Sequence, residues 1–348
     1  MPHTCGTKAA LPAGGVDISV VVPSYNGEGT IAECLESIER ATRGRRREII
    51  VADSSTDRTP EIVRRHFPDV ALIRSETRLS AGAARNLGSA AARGRLIFFT
   101  DQDCIVPPDW IERMEEHFQN TAIHGAGGAV GIRNLSSASG CALYFLEFLN
   151  HFPGRRSPRQ DDNFLVGCNC AYRAEAIQAV RFPDQTLGED ILFSNQLRTH
   201  GFRTVYDSRI EVLHQNREGW DAFFDYNDKM GRAAARYHLV LKLWWAMPVL
   251  RWPSLAFSAP VAVLPSIARD LLRSHRSYLL RFMLLAPMCL LGNLVWANGF
   301  RQQVRKMRET GDSLRGVDAL QQQRTLSASP SSEPATEPPQ PSGETGSP

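Results

Sequence analysis

The sequence has almost no surplus of charge of either sign. Forty Lys and Arg against 37 Asp and Glu leave a formal net charge of +3 over 348 residues. That is too little to point to nucleic acid as a partner. Most of the basic excess is local, in Arg43, Arg45, Arg46 and Arg47, which read as a solvated loop. The chain also lacks a zinc set. Its seven cysteines are scattered, only Cys168 and Cys170 are close-spaced, and no second pair accompanies them. Reduced thiols in a cytoplasmic compartment are expected. The first fifteen residues hold one lysine and no long apolar run, so no secretory signal is read there and the N-terminus is expected in the cytosol. No GxGxxG follows the first strand, which argues against a dehydrogenase. Ser24-Tyr25-Asn26-Gly27-Glu28 stands there instead. It is not the Gly-rich, Lys- or Arg-bearing phosphate loop a nucleotidyltransferase would want.

What is present is a globular composition, 43% hydrophobic and 22% charged, in a length that allows one large domain or two ordinary ones. Ile18–Val22 reads as a strand ended by Pro23, and Thr30 as the cap, with Glu33 three residues on, of an amphipathic helix. Glu48–Ala52, Val70–Ile73 and Leu96–Phe99 read as further strands, with helices opening at Thr59-Pro60-Glu61 and running from Gly82 to Ala92. This β-α-β-α order calls for a mostly parallel sheet covered by helices on both faces. Beyond it we expect a helix over Trp110–Phe118, a glycine-rich strand over Gly125–Gly131 and an aromatic helix over Tyr144–Phe152. A polar loop over Arg155–Asn163 and a strand at Phe164–Gly167 should follow. Two more helices are read, Arg173–Val180 and Ile191–His200, and then strands at Thr204–Tyr206 and Ile210–Leu213.

The strand Leu96–Phe99 runs into Asp101-Gln102-Asp103. Parallel sheets place binding residues just past the carboxyl ends of their strands, so both carboxylates should stand at the mouth of a crevice. Two anions this close call for a cation between them, and hard oxygen ligands suit Mg²⁺ or Mn²⁺. An acidic turn closed by Pro107-Pro108 is the plainer alternative.

Five motifs recur in register: Val21-Val22-Pro23-Ser24-Tyr25-Asn26, Val51-Ala52-Asp53-Ser54-Ser55-Thr56-Asp57, Ala84-Arg85-Asn86-Leu87-Gly88, Thr100-Asp101-Gln102-Asp103 and Gly188-Glu189-Asp190. In order and spacing, over roughly residues 17 to 215, they resemble the family 2 inverting glycosyltransferases. The resemblance implies the GT-A fold, a Rossmann-like mixed, mostly parallel α/β sheet sandwiched by helices. It implies a nucleotide-sugar donor, a UDP-sugar by expectation, and a divalent Mn²⁺ or Mg²⁺. Asp53 would contact the nucleobase, and Pro23, Ser24 and Tyr25 would line its pocket. Arg78 and Arg85 would meet phosphate. Asp103 would ligate the metal, with Asp101 on ribose or metal-bound water. Asp190 would take the proton from the acceptor hydroxyl, Glu189 would contact the acceptor, and His214 would face metal or diphosphate. Each has a structural alternative: an Asx turn at Asp53, solvated helix arginines, first-turn acids at Glu189 and Asp190, and a packing role for His214. The Gln/Arg-x-x-Arg-Trp motif of processive relatives is missing; Arg217-Glu218-Gly219-Trp220 stands in that region. Transfer of a single sugar is therefore expected.

From Trp220 the character changes. Trp252–Ala268 and Phe282–Phe300 carry no charged residue, and only the second approaches the ~20 apolar residues a spanning helix needs. If both spanned, Arg269, Arg273, Arg276 and Arg281 would lie across the membrane from the N-terminal domain, against the positive-inside tendency. Interfacial helices with those arginines at lipid headgroups remove the conflict; a helical dimerisation domain is the alternative. The resulting organisation is an N-terminal tail (1–16), a GT-A domain (17–218), a helical, membrane-associated region (219–310) and a Ser/Pro/Glu/Thr-rich disordered tail (311–348). The catalytic domain is expected on the cytosolic side of the cytoplasmic membrane, acting on a lipid-linked or glycan acceptor.

Overall fold

The computed structural model describes residues 15–154, 159–160, 164–184, 187–241 and 247–310. The tail beyond 310, nearly all of the N-terminal tail and most of the Arg155–Asn163 loop lie outside these. The chain begins with β1 (Ile18–Ser24), α1 (Ile31–Ala41), β2 (Arg47–Asp53), α2 (Thr59–His66), β3 (Ala71–Arg74), α3 (Ala81–Ala91) and β4 (Leu96–Phe99). β3, β2, β1 and β4 pair side by side in parallel. β1 and β4 are buried throughout, which is why they read as unbroken apolar runs. α1 turns Ile31, Cys34, Leu35 and Ile38 onto the sheet, and all four are buried.

After β5 (Cys104–Ile105) come α4 (Trp110–Phe118), β6 (Ile123–Ile132), α5 (Ala138–Glu147), β7 (Arg159–Gln160), β8 (Cys170–Arg173), α6 (Ala174–Ala179), α7 (Glu189–Thr199) and β9 (Arg203–His214). These complete a nine-stranded mixed sheet, ordered β3-β2-β1-β4-β8-β6-β9-β5 with β7 on β9. β8 is antiparallel to both β4 and β6, and β6 runs parallel to β9. Four parallel strands thus carry the first half, and an antiparallel switch at β8 joins it to the second.

Several boundaries differ from the sequence reading. Pro23 does not end β1: beyond Val21 the strand pairs with β2 alone, so its missing N–H costs no bond to β4. Thr30 precedes α1 without making a side-chain cap. The aromatic helix starts earlier, where Ser137 caps it by accepting from the Gly140 N–H, and it stops at Glu147. Phe164–Gly167 is not a strand; the ladder falls on Cys170–Arg173. Thr204–Tyr206 and Ile210–Leu213 belong to one strand, β9, broken only by a register shift at Asp207–Glu211.

Past the sheet lie α8 (Trp220–Leu241), α9 (Met247–Arg251), a 3₁₀ turn (Pro253–Ser258), α10 (Ala259–Ser274) and α11 (Arg276–Thr310). Phe223, Tyr226, Ile267, Leu271, Phe282 and Cys289 from these helices share a continuous core with Val130, Tyr144 and Phe145 of the sheet half. The six described cysteines are free and buried.

Candidate active site

The site is assembled by strand register. β1 and β2 end together, with Ser24 opposite Asp53. The turns that follow are tied to each other: Asn26 N–H donates to Ser55 Oγ at 2.8 Å and Thr56 N–H to Asn26 Oδ1 at 2.9 Å. Asn26 takes a left-handed φ of 52° there, a conformation Asn tolerates. Tyr25 lies under the Arg78 guanidinium, 4.2 Å from ring centroid to Cζ. Pro23, Ser24, Tyr25, Asp53 and Arg78 thus come together at one end of the crevice.

Asp53 itself is fully buried. Arg74 donates to its Oδ2 at 2.6 Å, and the Ser55 N–H and hydroxyl also bond the carboxylate. Sequence reasoning stopped β3 at Ile73 and so missed Arg74, which sits in register beside Asp53. It also missed the middle residue of the acidic motif. Gln102 Oε1 accepts from the Ser24 hydroxyl at 2.7 Å and the Tyr25 N–H at 3.0 Å, and its Nε2 donates to the Tyr25 carbonyl at 2.9 Å. Gln102 therefore clamps the β1 turn to the motif. A Cβ on Gly27 would stand 2.2 Å from Gln102 Oε1, so the clamp requires glycine there.

Asp103 and His214 meet because β5 pairs with the end of β9, Cys104 opposite His214. His214 Nε2 lies 3.5 Å from Asp103 Oδ1, and its Nδ1 is 3.1 Å from Asn216 Oδ1, which holds the ring's orientation. The ligand atoms of Asp103, Cys104 and His214 all lie within 4.8 Å of one another. Oxygen and imidazole donors at this spacing fit a divalent cation. Cys104 is a poor third ligand for a hard ion, since burial pushes its thiol pKa up and keeps it protonated.

Arg85 is the hub. It is only 2% exposed, and it donates to Asp101 Oδ1 at 2.8 Å and to Glu189 Oε1 at 2.6 Å. Where a phosphate contact was expected, the guanidinium instead bridges two carboxylates; Glu189 likewise faces Arg85. Asp101 keeps its second oxygen for other partners.

Asp190 lies in the first turn of α7, after Gly188 at a φ of +79°. The N–H groups of Ile191 at 2.8 Å and Gly167 at 3.3 Å bond its carboxylate and favour the charged form. Burial outweighs them, with Glu189 adding repulsion and Arg85 opposing, and the pKa is pushed up to about 7. That is the range a general base needs near neutrality.

The site thus joins a carboxylate–imidazole pair just past β4 to an aspartate of raised pKa in α7, with Arg85 bridging Asp101 and Glu189 between them. Residues 19–181 match the family described as Glycosyl transferase family 2. The chain is 38% identical over 126 residues to the succinoglycan biosynthesis protein ExoO of Rhizobium meliloti, covering 35% of this chain and 34% of that protein. It is 37% identical over 91 residues to an uncharacterized glycosyltransferase of Haemophilus influenzae, covering 26% of this chain and 31% of that one. The matches thus span about a third of those relatives' length. The mannosyltransferase PcManGT from Pyrobaculum calidifontis, solved with GDP-Man and Mn²⁺, superposes with a TM-score of 0.50 over 94% of this chain and 88% of its own. At 18% identity that likeness shows the fold alone. Residues 19–181 thus match a family 2 glycosyltransferase domain, carried on a GT-A-type fold. Glu189, Asp190 and His214 lie beyond the matched segment.

Proposed function

We propose that the protein catalyses inverting transfer of one sugar from a nucleotide-sugar donor to a lipid-linked or glycan acceptor at the cytoplasmic face of a membrane. The observation that carries this is the Arg85 bridge: one guanidinium links Asp101 of the donor motif to Glu189, the neighbour of the candidate base. Donor side and acceptor side are thereby held at a fixed spacing. Asp190 takes the proton from the acceptor hydroxyl as its oxygen attacks the anomeric carbon, and the nucleoside diphosphate leaves from the opposite face. Residues 17–218 make up this catalytic unit. Pro23, Ser24 and Tyr25 receive the nucleoside, and Asp53 would reach it only by exchanging its bonds to Arg74 and Ser55. Asp103 and His214, with the free oxygen of Asp101, would hold Mn²⁺ or Mg²⁺, which when bound neutralises the diphosphate and makes it a better leaving group.

The helices after Trp220 support membrane association. Two of them, Pro253–Ser274 and Arg276–Thr310, are long and apolar enough to cross a bilayer. The inner face of α11 belongs to the domain core, and its outer face presents Leu280, Met283, Leu284, Leu291 and Leu294 to the outside. A helix with one face packed on a globular core fits an interfacial position better than a span.

The donor is read as a UDP-sugar. PcManGT was solved with GDP-Man, so both nucleotides belong in the test. Calorimetry of UDP, GDP and NAD, each with and without Mn²⁺, should give metal-dependent binding of UDP or GDP and none of NAD. Absence of any nucleoside diphosphate binding would move the protein to a non-catalytic scaffold that keeps the fold.

A further inference from the structure

A second cluster of ionisable groups lies just past His214 and has no part in the chemistry above. Arg217 follows β9 by three residues, and its guanidinium stacks on the ring of Tyr226, Cζ to centroid 4.4 Å. The Tyr226 hydroxyl donates to Glu147 at the end of α5. The next residue, Phe148, packs its ring edge-on against the His214 imidazole at 5.1 Å. The cluster is therefore built against the candidate metal ligand, from two helices and the loop between β9 and α8.

Glu147 and Arg217 feel each other's charge without forming an ion pair. Burial raises the pKa of Glu147, with His214 and Arg217 opposing, and Tyr226 already takes one of its oxygens. Arg217 is exposed and makes no hydrogen bond or ion pair with any described residue. Desolvation by the surrounding protein opposes its charge, and Tyr226 and Glu147, then Asp103 and Asp101, favour it. A guanidinium held by one face on an aromatic ring leaves its in-plane N–H fork free, and that fork matches phosphate oxygens. Arg85 cannot serve there, because its two ends are occupied by Asp101 and Glu189. Two anionic phosphates entering beside Asp101 and Asp103 need a cation with unused donors.

We propose that Arg217 binds the diphosphate of the nucleotide-sugar donor on the His214 side of Asp103, positioned by the ring of Tyr226 and, through its hydroxyl, by Glu147. This rests on the glycosyl-transfer reading. When the bond between the anomeric carbon and the phosphate oxygen breaks, its electron pair stays on that oxygen. The acceptor oxygen forms the new bond to carbon and gives its proton to Asp190. The charge gathering on the departing diphosphate is then met by the Arg217 N–H groups. A second source of the same chemistry is the phosphate of a lipid-linked acceptor. Arg217 lies three residues past His214, the partner of Asp103, and that placement favours the donor.

The test uses the full chain in detergent with Mn²⁺ and compares UDP with UMP, and GDP with GMP, by calorimetry. Loss of a charge-assisted hydrogen-bond pair should weaken diphosphate binding by about ten- to a hundredfold in Arg217→Ala. Arg217→Lys should recover part of it, and monophosphate binding should be unchanged in both. Tyr226→Phe keeps the stack and should lose less than Tyr226→Ala. Wild-type diphosphate affinity in Arg217→Ala would overturn the proposal and hand the arginine to the acceptor side. An equal loss for mono- and diphosphate would overturn it in favour of a structural role. If the unaltered protein binds neither UDP nor GDP, the glycosyl-transfer reading itself has failed, a result separable from either of these.

Discussion

At the scale of single residues, the site works by opposing influences on one carboxylate. A helix N-terminus lowers the pKa of an aspartate, and Asp190 accepts two backbone N–H bonds of that kind. Burial and Glu189 reverse the outcome and bring it to about 7. The sign of the pH dependence follows. In the unfolded chain this group titrates near 3.8, so between about pH 4 and pH 7 the folded state holds the extra proton. Stability contributed by Asp190 is therefore present at low pH, falls as pH rises through that window, and is flat above it. With Asp190 as the proposed base, activity should run the other way, because only the deprotonated carboxylate accepts a proton. The transfer rate at saturating donor should rise roughly tenfold per pH unit below 7 and level above it. Asp190→Asn should lower the rate by more than about a hundredfold while leaving metal-dependent nucleotide affinity intact. Retained turnover in that variant would remove Asp190 from the role of base.

At the scale of elements, periodicity carried the reading where a segment has one buried face. Trp110–Phe118 and Leu96–Phe99 were legible to the residue, because burial alone dictates their patterns. Phe164–Gly167 misled for the same reason in reverse: Leu165 and Val166 are buried without pairing in a ladder, and a short apolar run does not distinguish the two. β9 looked like two strands because Asp207, Ser208 and Arg209 interrupt its apolar run, although Asp207 and Ser208 are buried. In the site, the local acidic motifs were visible, while partners separated by long stretches were not. Arg85 and Glu189 are 104 residues apart, and nothing in either segment names the other. The packing of α8 on α11 was equally hidden. A Cβ on Gly231 would stand 2.0 Å from the Trp296 carbonyl oxygen, and one on Gly299 2.4 Å from that of Asp228. Both obstacles are backbone, which cannot swing aside as a side chain would. Gly231→Val should therefore destabilise by roughly 1–3 kcal/mol or more through forced separation of the helices. Gly29→Ala, where an added Cβ meets nothing within 4 Å, is the matched control. Equal thermal midpoints for the two variants would show that the helices part without cost.

At the scale of the whole molecule, the open matter is how a catalytic domain and an apolar helical region share one core. If α10 and α11 each crossed a bilayer, the link bearing Arg269, Arg273 and Arg276 would lie on the far side from the sheet. Phe282 and Cys289 of α11 would then be immersed in lipid. Instead they pack with Tyr144 and Phe145, Phe145 meeting Phe282 at 5.4 Å between ring centroids. The same C-terminal end of α5 carries Phe145 against Phe282, Glu147 against Tyr226 and, just past it, Phe148 against His214. The apolar helix α11 is thus one helix away from the candidate metal ligand, and on the proposed interfacial placement an acceptor would arrive beside it from the lipid surface. The outward stripe of α11, from Leu280 to Leu294, is about 21 Å long, and the exposed arginines 269, 273 and 276 flank it where headgroup phosphates would lie. Leu280→Glu, Leu284→Glu and Leu291→Glu together leave the inner face of the helix untouched, so folding should persist. The triple variant should move from the membrane pellet to the soluble fraction and lose binding to anionic vesicles, with its nucleotide affinity preserved. A variant that stays in the pellet and resists carbonate extraction would mean that the helices span the bilayer, and the interfacial reading would fall.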